Sequence, residues 1–195
     1  MKHYVTAIAS ALLCASAFAQ TTIATPPTAS NAAVEVFFSP GSNTDQAIAA
    51  AILSATKRVW IAGYYFTSAP IAKALHEAHE RNHVDVRVVL DRSQASLKYS
   101  SATYFHNQGV PIKMNAKYPV MHHKFVVIDS DIVGFGSMNF TKKGAQANAE
   151  NFNMFRRWPK LTETYAREFS RLEGESVAYT PGMVFDTPAA SEKSE

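Results

Sequence analysis

The chain has 195 residues, of which 47% are hydrophobic and 11% are aromatic. This length and composition provide enough apolar surface for one domain with its own core, and they exclude a disordered or fibrous protein. The formal net charge of +3 is compatible with an anionic partner, but it is too small to indicate a dedicated nucleic-acid clamp.

The amino terminus has the pattern of a targeting segment. Lys2 is followed by an apolar stretch from about Tyr4 to Leu13, and then by Ala17-Phe18-Ala19, which has small residues at the two positions that define a cleavage site. This pattern is typical of a secretory signal peptide over residues 1–19, cut before Gln20, and it predicts a secreted or periplasmic protein. The apolar stretch is shorter than the roughly 20 residues that span a bilayer, so a retained anchor is the weaker alternative and we expect no stable membrane span.

The rest of the chain is expected to contain a single folded domain. Residues 20–33 are rich in Thr, Ala and Pro and lack periodicity, which is typical of a flexible lead-in. Residues 34–174 carry strand and helix patterns, whereas residues 175–195 lack a period and predict a mobile tail. The only cysteine, Cys14, lies in the predicted signal peptide, so the mature chain is expected to fold without disulfides or thiolate-bound metal.

Apolar runs and helical spacings alternate along the domain. The predicted strands are Val34–Phe38, Val59–Tyr65, Val84–Leu90, Val110–Met114, Lys124–Ile128, Ile132–Phe135 and Glu150–Arg156. The predicted helices begin at Ser42 or Asn43 and then cover Ala69–Arg81, Leu97–Asn107 and about Pro159–Leu172. This order predicts an α/β fold in which a mixed β-sheet is sandwiched by helices.

Polar side chains that suit phosphate chemistry cluster around one of these strands. His122 and Lys124 are two residues apart at its start, so both project from one face, whereas His123 points to the other. An imidazole can attack phosphorus or transfer a proton near neutral pH, and an ammonium can bind the non-bridging oxygens. Zinc ligands normally share a face, which adjacent histidines on a strand do not, so we expect no metal and no other cofactor.

The following hairpin brings two more polar groups toward this pair. If Ser130-Asp131 form a two-residue turn, Lys124 lies opposite Ser137 and His122 lies opposite Asn139. One patch would then hold an imidazole, an ammonium, a hydroxyl and an amide. Tyr64, Tyr65 and Phe66 end an earlier strand and could stack on bases, although packing in the core is the stronger interpretation.

The order of these residues resembles a known family signature. His122-x-Lys124-x4-Asp129, then Gly136-Ser137-Met138-Asn139, then Glu150-Asn151 is similar to the HKD signature of the phospholipase D superfamily. The segments Val34–Pro40 and Phe66–Ser68 resemble the small, secreted bacterial endonucleases of that superfamily. The resemblance implies the phospholipase D/nuclease-like fold for the predicted domain.

The resemblance also implies roles for individual residues. The implied catalytic residues are His122, Lys124, Asp129 and Glu150, and the implied phosphate-binding residues are Lys124, Ser137 and Asn139. His122 would form a covalent phosphohistidine or protonate the leaving group. Glu150 would orient its imidazole, supported by Ser137, and Asp129 would stabilise the motif more than contact substrate.

Only one copy of the H-x-K spacing occurs in this predicted domain. Among the other histidines, His76, His79, His83 and His106 lack a lysine two residues later. The implied mechanism needs one histidine as nucleophile and another as general acid. We therefore expect a homodimer with its active site at the two-fold axis.

The leading hypothesis is a secreted or periplasmic phosphodiesterase, most simply a non-specific, metal-independent endonuclease. DNA is the expected substrate and RNA an open alternative. A phospholipase D acting on phosphatidylcholine- or cardiolipin-type lipids is the main alternative, because the same chemistry serves both substrates. A non-catalytic nucleic-acid-binding module is the second alternative, although the complete residue set favours an enzyme.

Overall fold

A computed structural model of the chain describes residues 31–81, 83–97 and 100–185. The predicted signal peptide, residues 20–30 of the lead-in and the last ten residues of the predicted tail lie outside these ranges. The first strand begins at Ala33, the last residue of the predicted lead-in.

The described residues form one eight-stranded mixed sheet with the order β1-β7-β6-β5-β2-β3-β4-β8. Its strands are β1 (Ala33–Ser39), β2 (Arg58–Gly63), β3 (Asp85–Asp91), β4 (Ile112–Asn115), β5 (Lys124–Ile128), β6 (Ile132–Gly136), β7 (Glu150–Arg156) and β8 (Val177–Ala178). β2, β3 and β4 pair in parallel, and the other neighbours are antiparallel. The predicted α/β class and mixed sheet are therefore confirmed.

Helices cover both faces of this sheet. In the described ranges they are α1 (Thr44–Leu53), α2 (Ala69–Glu80), α3 (Ala102–Asn107), α4 (Lys142–Gln146) and α5 (Pro159–Gly174), with a 3-10 turn at Arg92–Ala95. None of these described helices is long and apolar enough to span a membrane.

Two apolar layers follow from the alternation of side chains along the strands. On one face, Ile48 and Ile52 of α1 and Leu75 of α2 pack with Val88 and other strand residues. On the other face, Phe169 of α5 packs with residues that include Ala62, Val89, Phe125 and Val127. Burial of these apolar residues holds the helices against the strands.

Within the described ranges, no element covers the α5 face of the sheet along its edge strand β1. Val34, Val36 and Phe38 alternate along the edge strand β1 and are 45%, 53% and 63% exposed. The register pairs Val34 with Phe155, which packs beside α5, so all three side chains lie on the α5 face. Such a row of apolar side chains is an unpartnered surface.

The hairpin between β5 and β6 differs from the prediction by one residue. Ile128 pairs with Ile132, so the loop has the three residues Asp129, Ser130 and Asp131 rather than a two-residue turn. Asp129 adopts a left-handed backbone with φ 51°, and its amide donates to the carbonyl of Arg58. The predicted pairing of Lys124 with Ser137 and of His122 with Asn139 is therefore wrong, because the observed register continues to Gly136 opposite Lys124.

Two other segments differ from their predictions. α3 begins at Ala102 rather than Leu97. Residues 175–185, predicted as part of a mobile tail, pack against the domain: β8 pairs with β4, and Tyr179 is 4% exposed with its hydroxyl 2.9 Å from that of Thr103. A two-residue strand is too short to show a periodic pattern in the sequence.

Candidate active site

The residues predicted from the sequence lie close together at one end of the strands, where several strands of the sheet begin or finish. His122 lies two residues before Lys124, the first residue of β5, and Glu150 is the first residue of β7. Ser137 and Asn139 follow the end of β6. Because β5 and β7 run antiparallel to β6, these positions lie at the same end of the sheet's strands, beside the carboxyl ends of β2 and β3. The topology thus brings together groups that are up to 28 residues apart in the chain.

His122 lies against an aromatic ring at this end of the strands. Its ring centroid is 4.9 Å from that of Tyr64, which follows β2. Burial lowers the pKa of His122, and the positive charge of Lys124 lowers it further, while the carboxylate of Asp91 acts in the opposite direction. A larger share of the imidazole is consequently neutral near pH 7, which is the form that can attack phosphorus.

Lys124 is a nearly buried cation. Lys124 is 8% exposed, and its Nζ donates to the carbonyl oxygen of His122 at 2.9 Å. The same Nζ lies 5.3 Å from the centre of the Tyr64 ring. Burial lowers the pKa of Lys124, and the charge of Glu150 opposes that shift. A lysine ammonium has three donors, so this arrangement leaves donors for a phosphate oxygen.

Ser137 and Glu150 form a pair beside this cation. The Ser137 hydroxyl donates to Glu150 Oε2 at 2.6 Å, and the Asn148 amide donates to Glu150 Oε1 at 3.1 Å. The main-chain amide of Asn151 donates to the Ser137 hydroxyl, and its side-chain oxygen accepts from the Ser137 amide. Within the described part of a single chain no hydrogen bond joins Glu150 to His122, so the orienting role of Glu150 stays a prediction.

Asn139 is held close to the end of β2. Its Oδ1 accepts from the main-chain amide of Tyr65 at 3.4 Å, and the amides of Thr67 and Ser68 both donate to the carbonyl oxygen of Phe140. Because the oxygen of the side-chain amide faces the protein, its NH₂ group is available to donate to an anion. The binding role expected of Asn139 fits this orientation and remains a prediction.

Asp129 is not part of this gathering. It follows the last residue of β5, which places it about 16 Å from Lys124 at the usual rise of a strand. Its carboxylate accepts hydrogen bonds from the amides of Thr56, Lys57 and Arg58 and from the Thr56 hydroxyl. Burial alone would raise the pKa of Asp129, but these hydrogen bonds outweigh it and lower the pKa. The structure therefore gives Asp129 a structural role and separates it from the predicted catalytic residues.

Tyr64 and Asp91 are site residues that the sequence did not single out for this position. Tyr64 contacts His122 and Lys124, and its hydroxyl lies 3.4 Å from that of Tyr65; this hydrogen bond is the main reason that the pKa of Tyr64 is raised to about 12. Phe66, by contrast, is fully buried in the core. Asp91 is the last residue of the parallel strand β3, and the carboxyl ends of such strands are a general location for binding sites.

Two cavities open on this part of the surface. A cavity of about 330 Å³ is lined by Tyr118, Val120, Met121, His122, His123, Arg171 and Leu172. Another, of about 300 Å³, is lined by Tyr64, Asp91, Arg92, Ser93, Ala95, Ser96, Pro119, Val120 and residues 183–185. Both are lined by Val120, and the first is also lined by His122.

Comparison with known proteins identifies the family. The family model described as "Cardiolipin synthase, PLD-like domain" matches residues 48–173. The chain belongs to the phospholipase D-like family. This membership confirms the resemblance in the sequence, and the expected class of enzyme agrees with relatives that are named as a phospholipase D and a cardiolipin hydrolase.

Solved structures with the phospholipase D-like fold are similar over most of the domain. Nuc from Salmonella typhimurium, described as a phospholipase D family member, has a TM-score of 0.71 and 31% sequence identity; the match covers 76% of this chain and 98% of that one. NucT from Helicobacter pylori has a TM-score of 0.68 at 22% identity, covering 76% and 99% of the two chains, and shows the shared fold.

Curated members of the phospholipase D-like family are similar over a shorter share of their length. The mitochondrial cardiolipin hydrolase of Chlamydomonas reinhardtii is 31% identical over 119 residues, which is 61% of this chain and 52% of the relative. The phospholipase D of Rickettsia prowazekii is 30% identical over 139 residues, or 71% and 67% of the two chains. The chain thus spans about half the length of the cardiolipin hydrolase.

The described residues contain no cluster of three or more His, Cys, Asp or Glu side chains that could hold a metal ion. The side chains of His122 and His123 have different partners, although both residues line one cavity. His122 contacts Tyr64, whereas His123 Nε2 lies 3.3 Å from Glu168 Oε1 of α5. The expectation that they do not form a metal-ligand pair stays a prediction.

Proposed function

We propose that this protein is a phosphodiesterase that cleaves nucleic acid without a metal, through a covalent bond between His122 and phosphorus. The observation that carries the proposal is the arrangement at this end of the strands. The partly desolvated imidazole of His122 lies beside the nearly buried ammonium of Lys124, and the pair formed by Ser137 and Glu150 is adjacent. Together these groups can supply a nucleophile, neutralise a phosphate and transfer protons.

The reaction proceeds in two displacements. A ring nitrogen of His122 forms a bond to phosphorus, and the bond from phosphorus to one ester oxygen breaks as that oxygen takes a proton from a second imidazole. Water then attacks the phosphohistidine, giving its proton back to the second imidazole and releasing His122. Lys124 stabilises the negative charge of both transition states by donating to non-bridging oxygens.

Nucleic acid is the proposed substrate because the sequence resembles the small bacterial endonucleases of the superfamily. In support, the similarity to Nuc extends over nearly all of that chain at 31% identity. The main alternative is a phospholipid, and it is favoured by relatives named phospholipase D and cardiolipin hydrolase. Val120, which is 45% exposed beside His122, is a small apolar contact for a lipid surface. Interfacial enzymes usually present a larger apolar segment, and the larger apolar row of β1 is assigned below to the contact between two chains, so we prefer nucleic acid.

A second copy of the chain supplies the second imidazole in this proposal. The H-x-K spacing occurs once in the domain, so one chain provides a nucleophile or an acid but not both. A symmetric dimer places two copies of His122 and Lys124 on a common axis.

The uncovered apolar row of β1 is the surface we propose for this contact. Phe38, its most exposed member, pairs in the sheet with Asn151, and the next residue, Ser39, pairs with Glu150. The row therefore ends directly beside the site that lacks a second imidazole. Burying it against the same row or α5 of a partner would remove its apolar surface from water and complete the site.

We also propose that the protein is exported and that the mature chain begins at Gln20. The charged start, the short apolar stretch and the small residues at positions 17 and 19 support cleavage there. Expression in a Gram-negative host followed by amino-terminal sequencing of the periplasmic fraction should give Gln20 as the first residue. A full-length protein in the membrane fraction would indicate a retained anchor instead.

The central test compares substrates in excess EDTA. Purified protein is incubated with plasmid DNA, with RNA, and with phosphatidylcholine or cardiolipin vesicles, and each assay is repeated with His122→Ala. The matched control is His106→Ala, which removes an exposed histidine of α3. We expect DNA nicking by the wild type and the control, and a loss of at least about 1,000-fold in His122→Ala.

Other outcomes would decide against parts of the proposal. Lipid hydrolysis without DNA nicking would assign the chain to the lipid enzymes. Loss of activity in EDTA that zinc restores would contradict the covalent histidine mechanism. Absence of a 32P-labelled wild-type chain after an alkaline detergent quench, which preserves the bond from nitrogen to phosphorus, would also contradict that mechanism, and its presence in wild type but not in His122→Ala would be the direct sign of the intermediate.

A further inference from the structure

A buried carboxylate lies behind the segment that carries His122. Asp91 ends β3 and is 2% exposed. Its Oδ1 accepts from the main-chain amide of Ser93 at 2.9 Å, and its Oδ2 accepts from the main-chain amide of Met121 at 2.8 Å. The second bond ties the end of β3 to the residue immediately before His122, although the two segments are 30 residues apart.

This carboxylate is unusual because its charge has no direct partner. No lysine or arginine of the described residues forms an ion pair with Asp91, so only two peptide amides stabilise its charge. A buried carboxylate normally needs such a partner, because removing a charge from water is costly. Fixing two amides does not itself require a charge, since neutral oxygens are also acceptors. The presence of a carboxylic acid rather than an amide at this position therefore needs another explanation.

The surroundings of His122 supply one. The charges that act on its imidazole are those of Asp91 from β3, Lys124 from β5 and the adjacent His123, while Tyr64 from the end of β2 contacts the ring and Arg171 from α5 lines the same cavity. Lys124 and Arg171 are cations, Tyr64 is neutral, and Glu150, which is bound by Ser137 and Asn148, is not among the charges that act on His122. Asp91 is therefore the group on this side whose negative charge favours a protonated imidazole.

We infer that Asp91 is a positioning residue for His122: it fixes the peptide that precedes the histidine, and its charge stabilises the imidazolium formed when the histidine holds a proton. The inference rests on the proposed function only where it gives the protonated imidazole a role in the reaction. In the two-displacement reaction each copy of His122 serves as nucleophile or as acid, and the acid must hold a proton before it can give it to the leaving oxygen. Without the carboxylate, burial and Lys124 would both oppose that protonation.

The test is the pH dependence of the Asp91→Asn variant. Asparagine keeps one oxygen acceptor but removes the charge, so the imidazolium loses stabilisation and protonates only at lower pH. We expect both limbs of the kcat/KM profile to move to lower pH by about one unit, with kcat at pH 7.5 reduced at least tenfold. The matched control is Asp45→Asn at the start of α1, which removes another buried carboxylate, 4% exposed, that is not among the charges acting on His122.

A measurement without substrate separates this inference from the proposed function. The His122 ring is titrated by NMR in the wild type, Asp91→Asn, Asp45→Asn and a smaller variant, Asp91→Ser, which covers the case in which asparagine prevents folding. A downward shift in both Asp91 variants but not in Asp45→Asn supports the inference even if the protein does not cleave DNA. A folded Asp91 variant with an unmoved His122 titration, or a lower kcat with an unmoved pH profile, would overturn it.

Discussion

Asp129 lies in the same short motif as His122 and Lys124, yet its side chain serves the fold. Its carboxylate accepts hydrogen bonds from the amides of Thr56, Lys57 and Arg58 at the start of β2, and these bonds join that strand to the turn after β5. The hydrogen bonds lower the pKa of Asp129. The stabilisation is consequently present above the carboxyl's unfolded-state pKa and is lost as the pH falls through the lower, folded-state pKa.

We predict that Asp129→Asn destabilises the protein but spares the chemistry. At pH 7 the free energy of unfolding should fall by about 1–3 kcal/mol, because three main-chain amides lose a charged acceptor, and the difference from wild type should shrink toward pH 3. Urea unfolding at several pH values measures this, with Asp131→Asn in the same turn as the control. Specific activity of the folded variant should stay within about threefold of wild type. A loss of 100-fold or more at unchanged stability would return Asp129 to the catalytic set.

At the level of secondary structure, the end of β6 requires a residue without a side chain. A Cβ atom on Gly136 would lie 2.2 Å from the main-chain oxygen of Asn151, the residue that follows Glu150 in β7. This close approach sets the distance between the segments that carry Ser137 and Glu150. The glycine of the motif is therefore explained by packing between two strands, since its φ does not lie in the left-handed region.

We predict that Gly136→Ala disturbs both stability and the site. The clash is with backbone, so β6 and β7 must separate, at a cost of about 1–3 kcal/mol, and the hydrogen bond between Ser137 and Glu150 should lengthen. Thermal unfolding and kcat should both fall, with kcat reduced at least tenfold. Gly174→Ala is the control, because a Cβ there meets no atom within 4 Å. Wild-type values for both measurements in Gly136→Ala would show that the strands are not held this closely.

The elements that the sequence predicted well are those with a pattern of their own. β5 and β7 have the predicted bounds, and α5 begins at the predicted proline, because each carries an apolar period or a start signal. α4 and β8 were missed since they are short and are held by neighbours. The predicted length of the turn after β5 was wrong by one residue. Asp129 bonds to the distant Thr56–Arg58 segment, and local turn preferences contain no information about that contact.

The same distinction applies to the site. His122, Lys124, Ser137 and Glu150 could be found because they belong to spaced motifs, and the structure brings them to one end of the strands. The hydrogen bond between Ser137 and Glu150 agrees with the supporting role implied for Ser137. Asp91 carries no motif, and its proximity to His122 depends on which strands are neighbours in the sheet, so only the structure could show it.

At the scale of the whole molecule, the two edge strands allow the proposed dimer to be tested with matched substitutions. Phe38 on β1 and Val177 on β8 are 63% and 51% exposed, and they lie at opposite edges of the same sheet. Neither side chain is needed for the core, so an aspartate at either position should leave the folded chain intact. Only the aspartate at position 38 would be buried in the proposed contact, unpaired and beside the site.

We predict that wild type and Val177→Asp are dimers and that Phe38→Asp dissociates. A charge buried at an interface without a partner should raise the dimer dissociation constant roughly 100-fold or more. Analytical ultracentrifugation measures this, and activity per chain should fall on dilution of Phe38→Asp and recover as its concentration is raised, because each site needs both copies of His122. A monomeric wild type with full activity would rule out the shared site. A dimer that Phe38→Asp leaves intact would keep the shared site but move the contact away from β1.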